Sequence, residues 1–234
     1  MRWKWVRRSV LIGVVALALA TTLRQGWLPA QFSPLPALDL ERPIPVIVDW
    51  QLVELASDRA LCRRFATSKG VRARLVPDRP ISNGCGWRNA VGMLGAGGAN
   101  ISVRRVSCGV AGGLALWIKH VVQPEAKRLF GSRVVSIGNM GVYSCRNIIG
   151  VRLFRNRRSQ HATANAIDVG SFRLANGKTI SILRHWNAPD NRSVFLRTVH
   201  RGACRFFRVV LGPDFNRAHR DHFHFDRGLF WRCV

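Results

Sequence analysis

The chain has 234 residues, of which 47% are hydrophobic and 21% charged. This length and composition suffice to bury a substantial core, which excludes wholesale disorder. A balance of 37 Lys and Arg against 12 Asp and Glu gives a formal net charge of +25, so the surface attracts polyanions such as nucleic acid, anionic lipid or an anionic cell-wall polymer.

The first 26 residues have the layout of an export signal. Four basic residues lie within the first eight positions, and an uncharged stretch follows at residues 9–23; such positive charge stays on the cytoplasmic side of a membrane. A small-residue run at 18–20 offers a cleavage site, whereas tryptophans at both ends are typical of an uncleaved anchor. We therefore predict a signal peptide or a signal anchor in the inner membrane over 1–26. The remainder is expected in the bacterial cell envelope, in the periplasm, and this location argues against nucleic acid as a partner.

Residues 27–45 are rich in proline and hold five of the ten prolines in the chain. Because proline fixes φ and lacks a backbone donor, this segment is predicted to be an extended tether. The folded domain is predicted over residues 46–234.

Six cysteines are spread along the domain without a C-x-x-C pair, which argues against a zinc finger or a thioredoxin-like motif. An even number in an exported protein predicts three disulfides. Fifteen pairings are open, and the most local one is favoured: Cys62–Cys85, Cys108–Cys145 and Cys204–Cys233.

Helices and strands follow one another irregularly along the domain. Helical spacing of apolar residues predicts a helix over 52–65 that is closed by Gly70, and another over 109–131 that is interrupted around Pro124. The later elements are a strand over 133–138, a β-hairpin over 166–185 with Asn176-Gly177 at its turn, a helix over 193–207 and a strand over 208–212. Without regular βαβ alternation, this order predicts one α+β domain with a small antiparallel sheet flanked by helices.

The stretch DHFHFD at 221–226 is the densest concentration of histidine in the chain. In a strand, Phe223 and Phe225 point to one face, whereas His222, His224 and Asp226 point to the other. The pattern therefore predicts a strand with an apolar core face and an imidazole-bearing face.

A second polar element, at residues 159–172, adds a histidine and a carboxylate. His161 and Asp168 are separated by six residues, and Asp168 lies on a predicted strand whose neighbouring residues face the core. With His224 they make a three-ligand set that suits zinc and leaves a fourth position for water.

These residues resemble a known signature. The pattern Ser159-x-His161-x-x-Ala164-x-Ala166-x-Asp168, followed by His222-x-His224, resembles the LAS-type zinc peptidases, which comprise D-Ala-D-Ala carboxypeptidases and dipeptidases and penicillin-insensitive murein endopeptidases. The chain resembles more closely the bacterial extensin-like C-terminal domain family, over nearly all of residues 50–234. That likeness includes Cys85-Gly86 and the stretches WIKHVVQPEA, YSCR, NAIDVGSF, GACRFFRVVLGPD and HRDHFHFD.

The resemblance implies roles residue by residue. His161, Asp168 and His224 match ligands of Zn²⁺, and His222 matches a histidine that either lies beside the ligands or takes part in catalysis. His219 falls where murein endopeptidases carry a further active-site histidine, and Asp221 where dipeptidases place a catalytic glutamate. The candidates for the base that takes a proton from water are thus His222, His219 and Asp221. His222 is favoured because it shares a strand face with His224.

The residues around His161 add candidates for substrate binding. Ser159 is predicted to bind substrate or to orient His161, and arginines before it, Arg155 and Arg158 among them, suit the carboxylates of peptidoglycan stem peptides. Two positions depart from the family pattern: Ala164 stands where Gly is usual, and Gln160 stands where Glu is usual. If position 164 needs a positive φ, Ala costs on the order of 1 kcal/mol, which weakens the case for catalysis more than the case for zinc binding.

The expected function is an envelope zinc peptidase that hydrolyses peptide bonds of peptidoglycan stems or cross-links, as a DD-endopeptidase or carboxypeptidase. The alternative is a non-catalytic module that retains the fold and binds peptidoglycan or has a structural role in the envelope.

Overall fold

The computed structural model describes residues 2–25 and 38–234. Residues 26–37, which contain most of the predicted tether, lie outside the described residues. Leu40, in the described part of the proline-rich segment, is 2% exposed and packs into the hydrophobic core of the domain.

The N-terminal segment forms helix α1 (Arg2–Gln25). Within it, Trp3–Thr22 is long and apolar enough to cross a membrane, and a signal sequence has the same properties. Together with the disulfides described below, this helix indicates a membrane anchor or signal peptide followed by an extracytoplasmic domain.

The part of the domain that the structure describes contains six further helices. They are α2 (Val48–Ser57), α3 (Arg59–Ala66), α4 (Cys108–Trp117), α5 (Gln123–Phe130), α6 (Ile182–His185) and α7 (Asn191–Ala203). A π-helical turn, Ile118–Val122, joins α4 to α5.

Nine of the described strands form one sheet, in the order β1-β4-β5-β6-β7-β10-β9-β11 with β8 paired to β7, and β2 and β3 form a separate ribbon. The strands are β1 (Val71–Val76), β2 (Arg79–Ser82), β3 (Cys85–Trp87), β4 (Ala90–Ala96), β5 (Ala99–Ser107), β6 (Val134–Gly141), β7 (Ala166–Leu174), β8 (Thr179–Ser181), β9 (Val209–Leu211), β10 (Phe223–Asp226) and β11 (Arg232–Cys233). The β5–β6 and β9–β11 pairs are parallel and the other pairs in the sheet are antiparallel. The predicted single α+β domain is confirmed.

Helix α4 is the centre of the core because it is apolar on every side, as a fully buried helix must be. Its glycines let neighbours approach closely: a Cβ on Gly109 would lie 2.8 Å from the carbonyl oxygen of Leu52 in α2. At its end, Trp117 makes edge contacts with Phe172 of β7 and Phe225 of β10. The helical layer therefore packs against one face of the sheet at β7 and β10.

The register of β7 and β10 determines which side chains share the other face. Phe225 pairs with Ile167, and His224 pairs with Asp168 one residue away. Because side chains alternate along a strand and directly opposite residues point the same way, the apolar pair faces the helices and the polar pair faces away from them. The two predicted faces are confirmed for Phe223–Asp226, but the strand begins two residues later than predicted, so Asp221 and His222 precede it.

Local structure differs from the predicted elements at three further places. The helix predicted over 52–65 is broken into α2 and α3 at Asp58, whose carboxylate accepts a hydrogen bond from the backbone N–H of Leu61 and so caps α3. The predicted second strand of the hairpin ends at Ser181 and continues as the short helix α6. The interruption predicted around Pro124 takes the form of the π-helical turn directly before it, and Gly131, with φ 61°, ends the helix.

The six cysteines form three disulfides, as predicted, but two of the predicted pairs are wrong. The disulfides are Cys62–Cys108, Cys85–Cys145 and Cys204–Cys233. Nearness in sequence does not decide the pairing, because the fold places α3 beside the start of α4 and places β3 beside the segment after β6. Only the C-terminal pair matches the prediction.

Candidate metal centre

The centre of the site is the cross-strand pair of His224 and Asp168. Nδ1 of His224 lies 3.0 Å from Oδ1 of Asp168. The histidine is 8% exposed and lies on a strand in which every residue is buried. Strand pairing alone therefore brings together two side chains that are 56 residues apart in the chain.

A short 3₁₀ turn, Gln160–Thr163, supplies the third side chain. The hydroxyl oxygen of Ser159 accepts a hydrogen bond from the backbone N–H of His161 and so caps this turn. Nδ1 of the His161 ring lies 2.8 Å from the carbonyl oxygen of Val142, just beyond β6. This contact directs Nε2 of His161 to within 3.1 Å of His224 Nδ1 and 3.2 Å of Asp168 Oδ1.

The hydrogen bonds outside the cluster determine where its protons are. A carbonyl oxygen only accepts, so the Val142 contact requires a proton on Nδ1 of His161. Nε2 of His224 lies 3.0 Å from Oδ2 of Asp226 and donates its proton in a hydrogen bond to that carboxylate. In their neutral forms, His161 and His224 thus direct lone pairs at Asp168 Oδ1, and three acceptor atoms converge with no proton between them. Such a centre requires positive charge.

The pKa values of His224 and Asp168 also indicate that the cluster requires positive charge. Burial favours the neutral form of His224, but hydrogen bonds to Asp168 and Asp226 outweigh it and raise the pKa of His224 to about 9. Burial by itself raises the pKa of Asp168, yet hydrogen bonds from His161 and His224 bring it well below its usual range. Without a metal ion, a proton supplies the charge that the cluster needs.

The donor set fits a zinc ion. The three ligand atoms lie 3.0, 3.1 and 3.2 Å from one another. Zinc–ligand bonds of about 2.0–2.1 Å in a tetrahedron separate ligand atoms by roughly 3.3 Å. The cluster formed by His161, Asp168 and His224 therefore needs only a few tenths of an ångström of expansion to hold such an ion, and two neutral imidazoles with one carboxylate are a common zinc set.

A second pair of groups stands beside the cluster. His222 precedes β10; its Nε2 lies 3.7 Å from Asp168 Oδ1, and its Nδ1 donates to Oδ1 of Asp221 at 2.8 Å. Asp221 thereby holds the tautomer of His222 whose Nε2 has a free lone pair towards the cluster.

His219 lies in the same loop, with its ring centre 5.2 Å from that of His222 and 5.8 Å from that of His224. Its Nδ1 donates to Oδ1 of Asn216 at 2.7 Å. Burial, together with the neighbouring imidazoles, lowers the pKa of His219 to about 4. The ring is therefore neutral at ordinary pH.

An open cleft of about 600 Å³ adjoins this loop. Its lining residues are Gly150, Asn216, Arg217, Ala218, Arg220 and Asp221. Asp221 and Asn216 each line the cleft and also orient a histidine, so the cleft adjoins His222 and His219, although its lining includes neither ring.

The three residues that were predicted to bind substrate differ from one another in their surroundings. Ser159 is 6% exposed and caps the turn that carries His161, which places it where it orients that histidine. Arg158 donates from Nε to the carbonyl oxygen of Asn83 and from Nη1 to Oδ1 of Asn147, so it joins the β2–β3 turn to the segment before the site. Arg155 is exposed.

Ala164 does adopt a positive φ, 53°, at the end of the 3₁₀ turn, and its side chain is fully buried. The turn nonetheless places His161 within reach of both other ligand candidates. Gln160 accepts a hydrogen bond from Asn165, which accepts one from Ser107. Neither departure from the family pattern disturbs the cluster.

Three groups that orient the histidines of the site were not predicted from the sequence. Asp226 orients His224, the Val142 carbonyl orients His161, and Asn216 orients His219. Strand alternation places Asp226 on the face of His224, which is a usable signal. A backbone carbonyl carries no such signal in the sequence.

Comparison with known proteins adds one relationship. Searches of the curated proteins and of the solved structures find no match. The family described as extensin-like protein C-terminus matches residues 60–233, which is well over half of the chain and includes every residue of the cluster. The chain therefore belongs to the extensin-like protein C-terminus family.

Proposed function

We propose that this protein is a zinc-dependent hydrolase of the cell envelope that cleaves peptide bonds in peptidoglycan stems or cross-links. The observation that carries the proposal is the convergence of two imidazole nitrogens and one carboxylate oxygen, 3.0–3.2 Å apart, beside a histidine whose tautomer a carboxylate holds. A purely structural cluster has no need for a third imidazole, His222, that a neighbouring carboxylate orients.

The proposed chemistry divides between the ion and the chain. Zinc, when held by His161, Asp168 and His224, supplies a Lewis acid that acidifies a water molecule and polarises a carbonyl group. His222 takes the proton of the attacking water at Nε2 and delivers it to the leaving amine. Asp221 keeps the proton of His222 on Nδ1 and stabilises the imidazolium that forms.

We infer different roles for the three candidates for the base. Asp221 already accepts a hydrogen bond from His222, so we assign it as a positioning residue. His219, whose pKa is lowered to about 4, is a poor base near neutral pH and is assigned as a hydrogen-bonding group of the cleft. We therefore propose His222 as the base, although it precedes β10 and does not share that strand with His224 as predicted.

Charge supports peptidoglycan as the substrate. The cleft is lined by the exposed Arg217 and Arg220. Stem peptides end in carboxylates, for which guanidinium groups are well suited. The three disulfides support an oxidising compartment outside the cytoplasm, which is where this polymer is found.

Digestion of purified peptidoglycan by the full chain in detergent tests the proposal. Zinc-dependent loss of cross-linked muropeptides or of terminal residues is expected, and it should vanish in His161→Ala and His222→Ala. His185→Gln, a histidine substitution outside the cluster, should retain it. Metal analysis accompanies each variant: near-stoichiometric zinc is expected in the wild type and in His222→Ala, and little in His161→Ala. A folded, zinc-loaded chain that releases nothing would refute hydrolysis and leave the non-catalytic wall-binding module as the better account.

A further inference from the structure

An exposed apolar surface lies beside the cleft and has no part in the proposed hydrolysis. It comprises Leu153, Phe154, Leu229, Phe230 and Trp231, and we call it the aromatic patch. The exposed fractions are 83% for Leu153, 74% for Leu229, 57% for Phe230 and 52% for Trp231. Stacking of Phe154 on Phe230, with ring centres 5.6 Å apart, joins the two chain segments into one surface.

The charged side chains in the two segments that form the aromatic patch are all arginines. Neither segment that forms it, 146–160 or 227–234, contains an Asp or Glu. The exposed arginines of these segments are Arg152, Arg155, Arg157, Arg158 and Arg232. Leucine and aromatic side chains next to guanidinium groups are the composition of surfaces that insert shallowly among anionic lipid headgroups.

Two features of the molecule favour a lipid surface over a second copy of the chain. In a two-fold dimer the patch would meet itself and place two sets of arginines together without a counter-charge. In addition, α1 is able to hold the chain in a bilayer, and the twelve residues between α1 and Leu38 reach at most about 45 Å. Binding of a tethered domain to the same bilayer is effectively intramolecular, so a modest patch suffices.

We propose that the aromatic patch docks the domain onto an anionic bilayer surface, with Leu153, Phe230 and Trp231 among the headgroups and the arginines paired with lipid phosphates. Gly150, three residues before Leu153, lines the cleft. Docking therefore holds the opening of the cleft close to the membrane surface. This inference does not depend on zinc or on hydrolysis.

An environment-sensitive fluorophore on one added cysteine tests the docking in the full chain. The six native cysteines are all in disulfides, so Leu153→Cys provides a single reactive thiol. Leu94→Cys is the matched control, because Leu94 is 61% exposed and lies on β4, four strands away from β10 in the sheet. Each protein is reconstituted singly into nanodiscs of phosphatidylcholine with or without phosphatidylglycerol, which excludes dimer formation.

In discs with phosphatidylglycerol, the probe at position 153 should shift its emission to the blue and be quenched by lipids with brominated acyl chains. The probe at position 94 should do neither. Arg155→Ser combined with Arg152→Ser should reduce the quenching at 153, and so should about 1 M NaCl, at which the screening length falls to roughly 3 Å.

Three results would overturn the docking proposal. One is equal quenching at 153 and 94, and another is equal quenching in neutral and anionic discs. The third is a probe at 153 that stays in water until peptidoglycan fragments are added, which would assign the patch to the wall polymer. Because none of these measurements uses catalysis, they leave the hydrolase proposal untouched.

Discussion

Asp226→Asn should weaken zinc binding although Asp226 is not one of the proposed ligands. One of its oxygens accepts from Nε2 of His224 at 3.0 Å and the other accepts from the backbone N–H of Gly228 at 2.8 Å. An asparagine has only one oxygen for these two donors. Whichever way the asparagine amide turns, its NH₂ group replaces one of the two accepting oxygens.

Both orientations of the new amide are unfavourable. If the amide NH₂ faces Gly228, two donors oppose each other in a buried position, which costs about 1–3 kcal/mol. If the NH₂ faces His224, it favours the tautomer with a proton on Nδ1, the atom that is proposed to bind zinc. Loss of such an orienting carboxylate lowers metal affinity by about 10- to 100-fold, which corresponds to roughly 1.4–2.7 kcal/mol.

Competition between the full chain and a chromophoric zinc chelator measures this change at constant pH and salt. Asp214→Asn is the control, since it removes an equal charge from a carboxylate whose side chain is 61% exposed. Its zinc affinity should equal that of the wild type. An unchanged affinity in Asp226→Asn would show that the hydrogen bond to His224 does not hold the ligand tautomer, and the proton arrangement argued for the cluster would be wrong.

Three further substitutions test other parts of the structure. Burial lowers the pKa of His200 to about 4, below the value of about 6.5 in the unfolded chain. The contribution of the neutral His200 ring to the free energy of unfolding is therefore complete above pH 6.5 and is lost as the pH falls towards 4. Urea unfolding at pH 7 and pH 4 should show that His200→Gln loses less stability on acidification than the wild type, by on the order of 3 kcal/mol, and an identical loss would contradict this. Asp49 binds the buried Arg208 and Arg227 at 3.0 and 2.7 Å, so Asp49→Asn should lower the free energy of unfolding by about 3–5 kcal/mol. Asp190→Asn, at an exposed ion pair, should leave the free energy of unfolding nearly unchanged; similar urea midpoints for the two variants would refute the difference. Ala164→Gly relieves the positive φ, worth about 1 kcal/mol, but removes a buried methyl group worth about 0.8 kcal/mol; the unfolding free energy and the zinc affinity should both stay nearly unchanged, and a large gain in affinity would show that Ala164 strains the site.

Asp226 lies on a strand face that side-chain alternation predicts, but its hydrogen-bond partner is not predictable in this way. Alternation along DHFHFD was enough to separate Phe223 and Phe225 from His224 and Asp226, because a strand has a period of two and an apolar face must be buried. The same pattern could not show that Asp226 bonds to His224 rather than to solvent, since both are consistent with one face of a strand. The distance of 3.0 Å between them decides that point.

Pairing between distant segments needed the tertiary structure. Cys62 bonds to Cys108 across 46 residues, not to Cys85, because the packing of α3 against the start of α4 outweighs nearness in sequence. The sequence by itself did determine the α+β class, the apolar N-terminal helix and the residue types suited to a metal. Only the fold decided their arrangement: the pairing of β7 with β10, and the carbonyl beyond β6 that turns His161 inwards, bring three side chains within 3.2 Å of one another. The physical reason is that periodicity reports which face a residue is on, whereas ligand geometry depends on which strands become neighbours and in what register.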